Sequence, residues 1–115
     1  MKQELVISEF NEGGYEPVDR FGTWRVAIIN TCDVLREENK HQVERHLKTD
    51  EVFVPITGKS ALYIGDDRTR YEMEIGKVYN VKLGVWHTIT MEDDAKVLIV
   101  ENDDTGAENS EFEPF

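Results

Sequence analysis

Short apolar and β-branched runs, each broken after a few positions by turn-forming residues, set the pattern of this chain. Residues 4–10 (ELVISEF), 22–30 (GTWRVAIIN), 50–57 (DEVFVPIT), 60–66 (SALYIGD), 70–75 (RYEMEI), 77–83 (KVYNVKL), 85–91 (VWHTITM) and 96–102 (KVLIVEN) all have strand composition. Between them fall Asn11-Glu12-Gly13-Gly14, Thr57-Gly58-Lys59, Gly65-Asp66-Asp67, Ile75-Gly76-Lys77 and Met91-Glu92-Asp93-Asp94, where hairpins or corners belong. The spacing predicts an all-β chain. In residues 50–57, period two puts Glu51, Phe53 and Pro55 on one face and Val52, Val54 and Ile56 on the other. The runs at 24–29 and 97–100 are apolar at nearly every position, which predicts strands covered on both faces, by the interior and by a second sheet or a partner subunit. Residues 33–38 read as a turn or one short helix, and residues 41–47 as a strand. The stretch 103–115 is acidic and poor in apolar residues apart from Phe112 and Phe115. It is expected to lie outside the domain formed by residues 1–102 as a tail fraying into solvent, the alternative being that its two rings dock on this or a neighbouring subunit.

At 115 residues the chain is one domain's length, large enough for a single core without disulfides. Its formal charge is −11, and the scattered Lys and Arg form no basic stripe, which argues against nucleic acid and anionic membrane surfaces as partners. No run approaches the roughly 20 apolar residues of a membrane span, and the first residues lack a signal-peptide pattern. The single cysteine, Cys32, has no intrachain disulfide partner, so a reducing, cytoplasmic setting is expected. Strands apolar on both faces, carried by a small barrel, lead to the expectation of a homodimer.

Chemistry concentrates in two segments. The first, 43–58 (VERHLKTDEVFVPITG), holds Glu44, His46 and Glu51; the second, 76–91 (GKVYNVKLGVWHTITM), holds His87. Glu44 and His46 are two apart and share a strand face, and a corner at 47–50 lets Glu51 return from the next strand. Two imidazoles and a carboxylate are a ligand set for a divalent ion such as manganese, iron or zinc, with positions left open. His87 joins them only if separate strands converge inside a barrel. A surface histidine at His46 and a core histidine at His87 are the competing readings, and His41 is read as a surface residue.

The same residues resemble the motifs of the cupin superfamily. The first motif runs Gly, five residues, His-x-His, three or four residues, Glu, six residues, Gly. His46 stands at its second histidine, Glu51 at its glutamate and Gly58 at its closing glycine, while Glu44 stands at the first histidine and the opening glycine is absent. In the second motif Gly76, Gly84 and His87 match, with Lys82 in place of the usual proline and Met91 in place of the usual asparagine. The resemblance implies a small double-stranded β-helix, or jelly-roll barrel, with His46, Glu51 and His87 at its mouth, often around a metal ion. Glu44 would then serve as a fourth, oxygen ligand or stay off the metal as a general base. The segments WRVAIINTCD and VLIVENDDTG are similar to small single-domain cupins, some loosely related to ureidoglycolate lyase or sugar-isomerase-like barrels.

Further cavity candidates are Phe53, Tyr79, Val81, Ile89 and Met91. Arg25, in an otherwise apolar strand, is a candidate to clamp a substrate carboxylate or to counter Glu51. Trp24 and Trp86 are read as packing residues. The expected function is a metal-dependent lyase, isomerase or related enzyme acting on a small oxygen-rich metabolite. The alternatives are a non-catalytic small-molecule binder in the same cavity, with or without a structural metal, and a scaffolding dimer.

Overall fold

A computed structural model describes residues 4–115. Its ten strands are β1 (Gly14–Phe21), β2 (Trp24–Asn30), β3 (Gln42–His46), β4 (Glu51–Thr57), β5 (Ser60–Ile64), β6 (Thr69–Glu72), β7 (Tyr79–Val81), β8 (His87–Met91), β9 (Lys96–Asn102) and β10 (Ser110–Pro114). They form two five-stranded sheets, ordered β1-β2-β9-β4-β7 and β10-β3-β8-β5-β6, in which every ladder is antiparallel. This is the all-β jelly-roll architecture expected from the strand and turn pattern.

The inner faces of both sheets build one core. Ala27, Ile29, Phe53, Val97 and Ile99 come from the first sheet and meet Leu62, Ile89 and Met91 from the second. The alternation expected in β4 holds, since Glu51, Phe53 and Pro55 are buried while Val52 and Val54 are half-buried on the outer face. In β2 and β9 the residues Ala27, Ile29, Val97 and Ile99 are buried on the inner face, while Val26, Ile28, Leu98 and Val100 are half-covered on the outer one, where a partner subunit rather than a second sheet among the described residues is left to supply the expected cover.

Other elements depart from the sequence reading. Residues 4–10 form no strand, and Leu5 and Ile7 are 71% and 86% exposed, because no neighbouring strand supplies the ladder their composition suits. The segment is tied down at its end, where Asn30 Nδ2 donates to the Phe10 and Glu12 carbonyls. The first strand is instead β1, whose sequence GYEPVDRF carries too many polar residues to read as a strand. An edge position suits it, since Pro17 lacks a ladder donor and sits beside a bulge against β2. Residues 33–39 form two 3-10 turns, Asp33–Leu35 and Glu37–Asn39. The acidic tail does not fray throughout. Its β10 pairs with β3 from Ser110↔His46 to Pro114↔Gln42, and the Phe115 ring meets Tyr63 edge-on at 4.9 Å.

Gly58 closes the corner after β4 with φ +70°, and a Cβ there would lie 2.6 Å from the backbone of Ala95. Left-handed backbone and overlap with fixed main chain act together at this point. Gly58→Ala is therefore expected to destabilise the fold by about 2–4 kcal/mol, read from urea unfolding midpoints, whereas Gly22→Ala, with open space around its Cβ position, should cost about 1–2 kcal/mol.

Candidate metal centre

Adjacent strands deliver the four candidate ligands to one end of the barrel interior. Glu44 and His46 project from β3, and Glu44 pairs in register with His87 on the neighbouring β8. Glu51 enters from β4 on the opposite sheet, at the first residue after the corner that follows β3. Gly84, at φ +80°, donates its N–H to the His46 carbonyl at 2.9 Å and so ties the loop before β8 to the end of β3. One ligand atom from each of Glu44, His46, Glu51 and His87 lies within 4.8 Å of the others. His46, Glu51 and His87 are buried, and Glu44 is half-exposed.

The detailed contacts require a proton or a metal ion between the rings and the Glu51 carboxylate. Glu51 Oε1 lies 2.8 Å from His46 Nε2 and 2.9 Å from His87 Nε2, and Glu44 Oε1 lies 3.9 Å from His46 Nε2. On its far side, His87 Nδ1 faces the Val85 carbonyl at 3.0 Å, which can only accept. Both ring nitrogens of His87 thus face acceptors, and the ring satisfies both only with a proton or a metal ion at Nε2. With Nδ1–H donated to the carbonyl, Nε2 presents a lone pair to the centre, the usual arrangement of a histidine ligand oriented by an outer hydrogen bond. His46 is less constrained, because Ser110 Oγ, 2.8 Å from its Nδ1, is a hydroxyl that can accept from the ring or donate to it, and with Nδ1–H donated to that hydroxyl Nε2 also presents a lone pair to the centre. Two imidazoles and two carboxylates in this arrangement fit a divalent metal ion.

A second polar network lies beside the ligands. Arg25 points inward, but its side chain is committed to Glu101 rather than Glu51. Its Nη2 donates to Glu101 Oε2 at 2.7 Å and to the Thr105 carbonyl at 2.9 Å, and its Nη1 donates to the Asp103 carbonyl at 2.8 Å. The Tyr15 hydroxyl donates to the same Glu101 oxygen at 2.5 Å. Burial, then the neighbouring Glu51 carboxylate, pushes the Glu101 carboxyl up to about 7. Burial also opposes charge on Glu51 and His46. In Glu51 the bonds from His46 and His87 outweigh burial and hold the carboxyl well below its usual range; in His46 the Glu51 bond and charge raise the imidazole.

Sequence reasoning missed Glu101, Tyr15, Lys40 and Ser110. Glu101 was legible in principle, because period two from Val97 through Ile99 puts it on the inward face of β9. The cavity holding these groups has a volume of about 310 Å³ and is walled by Phe53, Ile89 and Ile99 as expected for the first two. Tyr79 and Val81 instead line a separate apolar cavity with Leu62 and Ile64, and Met91 is buried in the core, because β7 and the far end of β8 lie away from the metal end. Trp86 stacks under Arg45, whose guanidinium lies 4.5 Å from the ring centre, and Trp24 packs against Phe21.

Without metal, the raised groups His46 and Glu101 stabilise the fold at low pH. The Glu101 contribution is lost as pH rises from its ordinary carboxylate value through about 7, and the His46 contribution as pH rises beyond its ordinary 6.5. The depressed Glu51 acts oppositely, with its contribution present above 4.5 and lost as pH falls further. The melting temperature of metal-stripped protein should therefore fall between about pH 5 and pH 8, and added divalent metal should flatten the decline, as measured by calorimetry.

No protein-family model matches the chain, and no curated protein matches it in sequence. Solved structures do match. A cupin-2 domain protein from Shewanella frigidimarina is 20% identical, with 81% of this chain and 84% of that chain covered and a TM-score of 0.62. A variant of Streptomyces PAC13 with uridine is 10% identical, with 100% and 93% covered and a TM-score of 0.71. KdgF from Halomonas sp. is 11% identical, with 87% and 90% covered and a TM-score of 0.61. At these identities the likeness is one of fold, and the fold of this chain is that of the cupin barrels.

Proposed function

We propose that this chain is a divalent-metal-dependent enzyme, of lyase, isomerase or related type, acting on a small oxygen-rich metabolite. The convergence of Glu44, His46, Glu51 and His87 at one end of a cavity carries the reading. The cavity volume of about 310 Å³ suits a small metabolite, and its walls combine apolar side chains with a few polar points. PAC13, described as a nucleoside dehydratase, and KdgF offer precedents of fold only.

A divalent ion held by His46, Glu51 and His87 would supply Lewis-acid polarisation of a substrate carbonyl or hydroxyl oxygen. Glu44 is suited to be the base. It is less buried than the other three, so its carboxylate can reach both the centre and an incoming ligand, and it can take a proton from the carbon α to a substrate carbonyl, the freed electron pair passing to the carbonyl oxygen. Phe53, Ile89 and Ile99 restrict water in the cavity, which strengthens the electrostatic interactions there. Ser110 and the Val85 carbonyl hold the two imidazoles in orientation.

The chain is further proposed to work as a homodimer through the outer face of β2, β9 and β4. Val26, Ile28, Val52, Val54, Leu98 and Val100 form a continuous half-buried aliphatic surface there. Sedimentation should give twice the chain mass of 13.3 kDa, and Leu98→Glu should return the monomer; a wild-type monomer removes the proposal.

Metal-loaded protein is expected to catalyse exchange of deuterium from heavy water into the carbon α to the carbonyl or carboxylate of at least one member of a panel of small hydroxy and keto acids, followed by NMR. Glu44→Gln should retain metal and lower the exchange rate by about 10²-fold or more, while His87→Ala should lose stoichiometric metal. Metal retained in full by His87→Ala, or exchange unchanged in Glu44→Gln, contradicts these assignments.

A further inference from the structure

The charged groups lining the cavity are Arg25, Lys40, Glu44, Glu51 and Glu101, besides the two histidines. Arg25 is saturated by Glu101 and by the Asp103 and Thr105 carbonyls, so it has little left to offer a ligand. Lys40 differs. It follows the second 3-10 turn at the start of β3, and its half-buried ammonium has no hydrogen bond or ion pair among the described residues. Among carboxylates, Glu44 is the one whose charge acts on it, without forming an ion pair with it. The two residues also line an adjoining cleft of about 120 Å³ with Gln42, Val43 and Thr88, so Lys40 stands between the two cavities.

Charge balance gives that lone cation a purpose. Resting on the metal-dependent reading above, a dication is cancelled by Glu44 and Glu51, and Arg25 is cancelled by Glu101. The Lys40 charge is left over. Protonation of Glu101 would add to the positive excess rather than remove it. A cavity with one surplus positive charge on a desolvated side chain favours a monoanion over a neutral molecule of the same shape, because an ammonium gains most from a charge-assisted bond where water is scarce.

We propose that the metal-loaded cavity takes a small organic carboxylate and that Lys40 receives its anionic group. The chain's formal charge of −11 repels anions at long range, so selectivity has to arise at this local reversal of sign. Lysine suits the role as a point charge whose flexible stem adapts to the ligand, whereas the planar Arg25 fork is used up in structure.

Calorimetric titration of manganese-loaded protein with glycolate and with its neutral isostere glycolamide tests the assignment. Glycolate is expected to bind at least about tenfold more tightly to the wild type. Lys40→Met should weaken glycolate about tenfold and leave glycolamide unchanged, and Lys40→Arg should restore most of the preference. Manganese stoichiometry, measured first for each variant, reports both an intact fold and an intact centre. Stoichiometric manganese in Lys40→Met with undiminished glycolate affinity overturns the Lys40 proposal alone, since the metal would then select the anion by itself. Equal binding of the two probes by the wild type overturns it as well. No manganese in the wild type overturns the metal reading and this charge count together.

Discussion

Two imidazole nitrogens set against one carboxylate oxygen inside a protein form an arrangement that stands only with a proton or a metal ion at each contact, and the carbonyl behind one of the rings narrows the choice further. Glu51 Oε1 sits within 2.9 Å of both His46 Nε2 and His87 Nε2, and the Val85 carbonyl occupies the other side of the His87 ring. Burial raises the cost of leaving any of these charges uncompensated. Protons can supply the compensation at low pH, and a divalent ion can supply it more completely near neutrality. The ligand strands are joined from both sheets by this one cluster, so the electrostatics of the centre and the integrity of that end of the barrel are linked.

The scaffold makes that convergence economical. A four-residue corner between β3 and β4 carries the chain from one sheet to the other, so His46 and Glu51 are near in sequence and face each other in space. β8 lies beside β3, which sets His87 opposite Glu44 without any further device. Around this, the inward residues of β9 do two kinds of work. Val97 and Ile99 fill the core, while Glu101, one step further, anchors Arg25 and Tyr15 and gathers the outer polar network behind the ligands.

Much of this was legible in the sequence, for physical reasons that also explain what was not. The strand and turn pattern and the two-residue spacing of Glu44 and His46 reflect fixed backbone geometry, so a β architecture and a shared face could be read from them, whereas the meeting of Glu51 and His87 with that pair followed only from the resemblance to the cupin motifs. Period two in β4 located Phe53 beside Glu51 for the same reason. Edge strands have a weaker signature. β1 has one inner face to satisfy and tolerates Pro17 and several charges, so Tyr15 went unnoticed, while the apolar residues 4–10 imitate a strand that has no partner. Pairings set by tertiary context were equally hidden. Arg25 stood out as a candidate only on the condition that it pointed inward, and its choice of Glu101 over Glu51 depends on carbonyls from the loop after β9 that no local pattern announces.

The docking of β10 alters the order in which such a protein can mature. Ser110, which supports the His46 ring, lies 64 positions beyond it, and the strand carrying that serine closes the edge of β3. A nascent chain emerging from the ribosome as far as Gly106 already contains every candidate ligand, yet lacks the piece that steadies one of them. Ion capture during synthesis would thus meet a loosely held imidazole, and firm loading would wait for the last strand to zip into place.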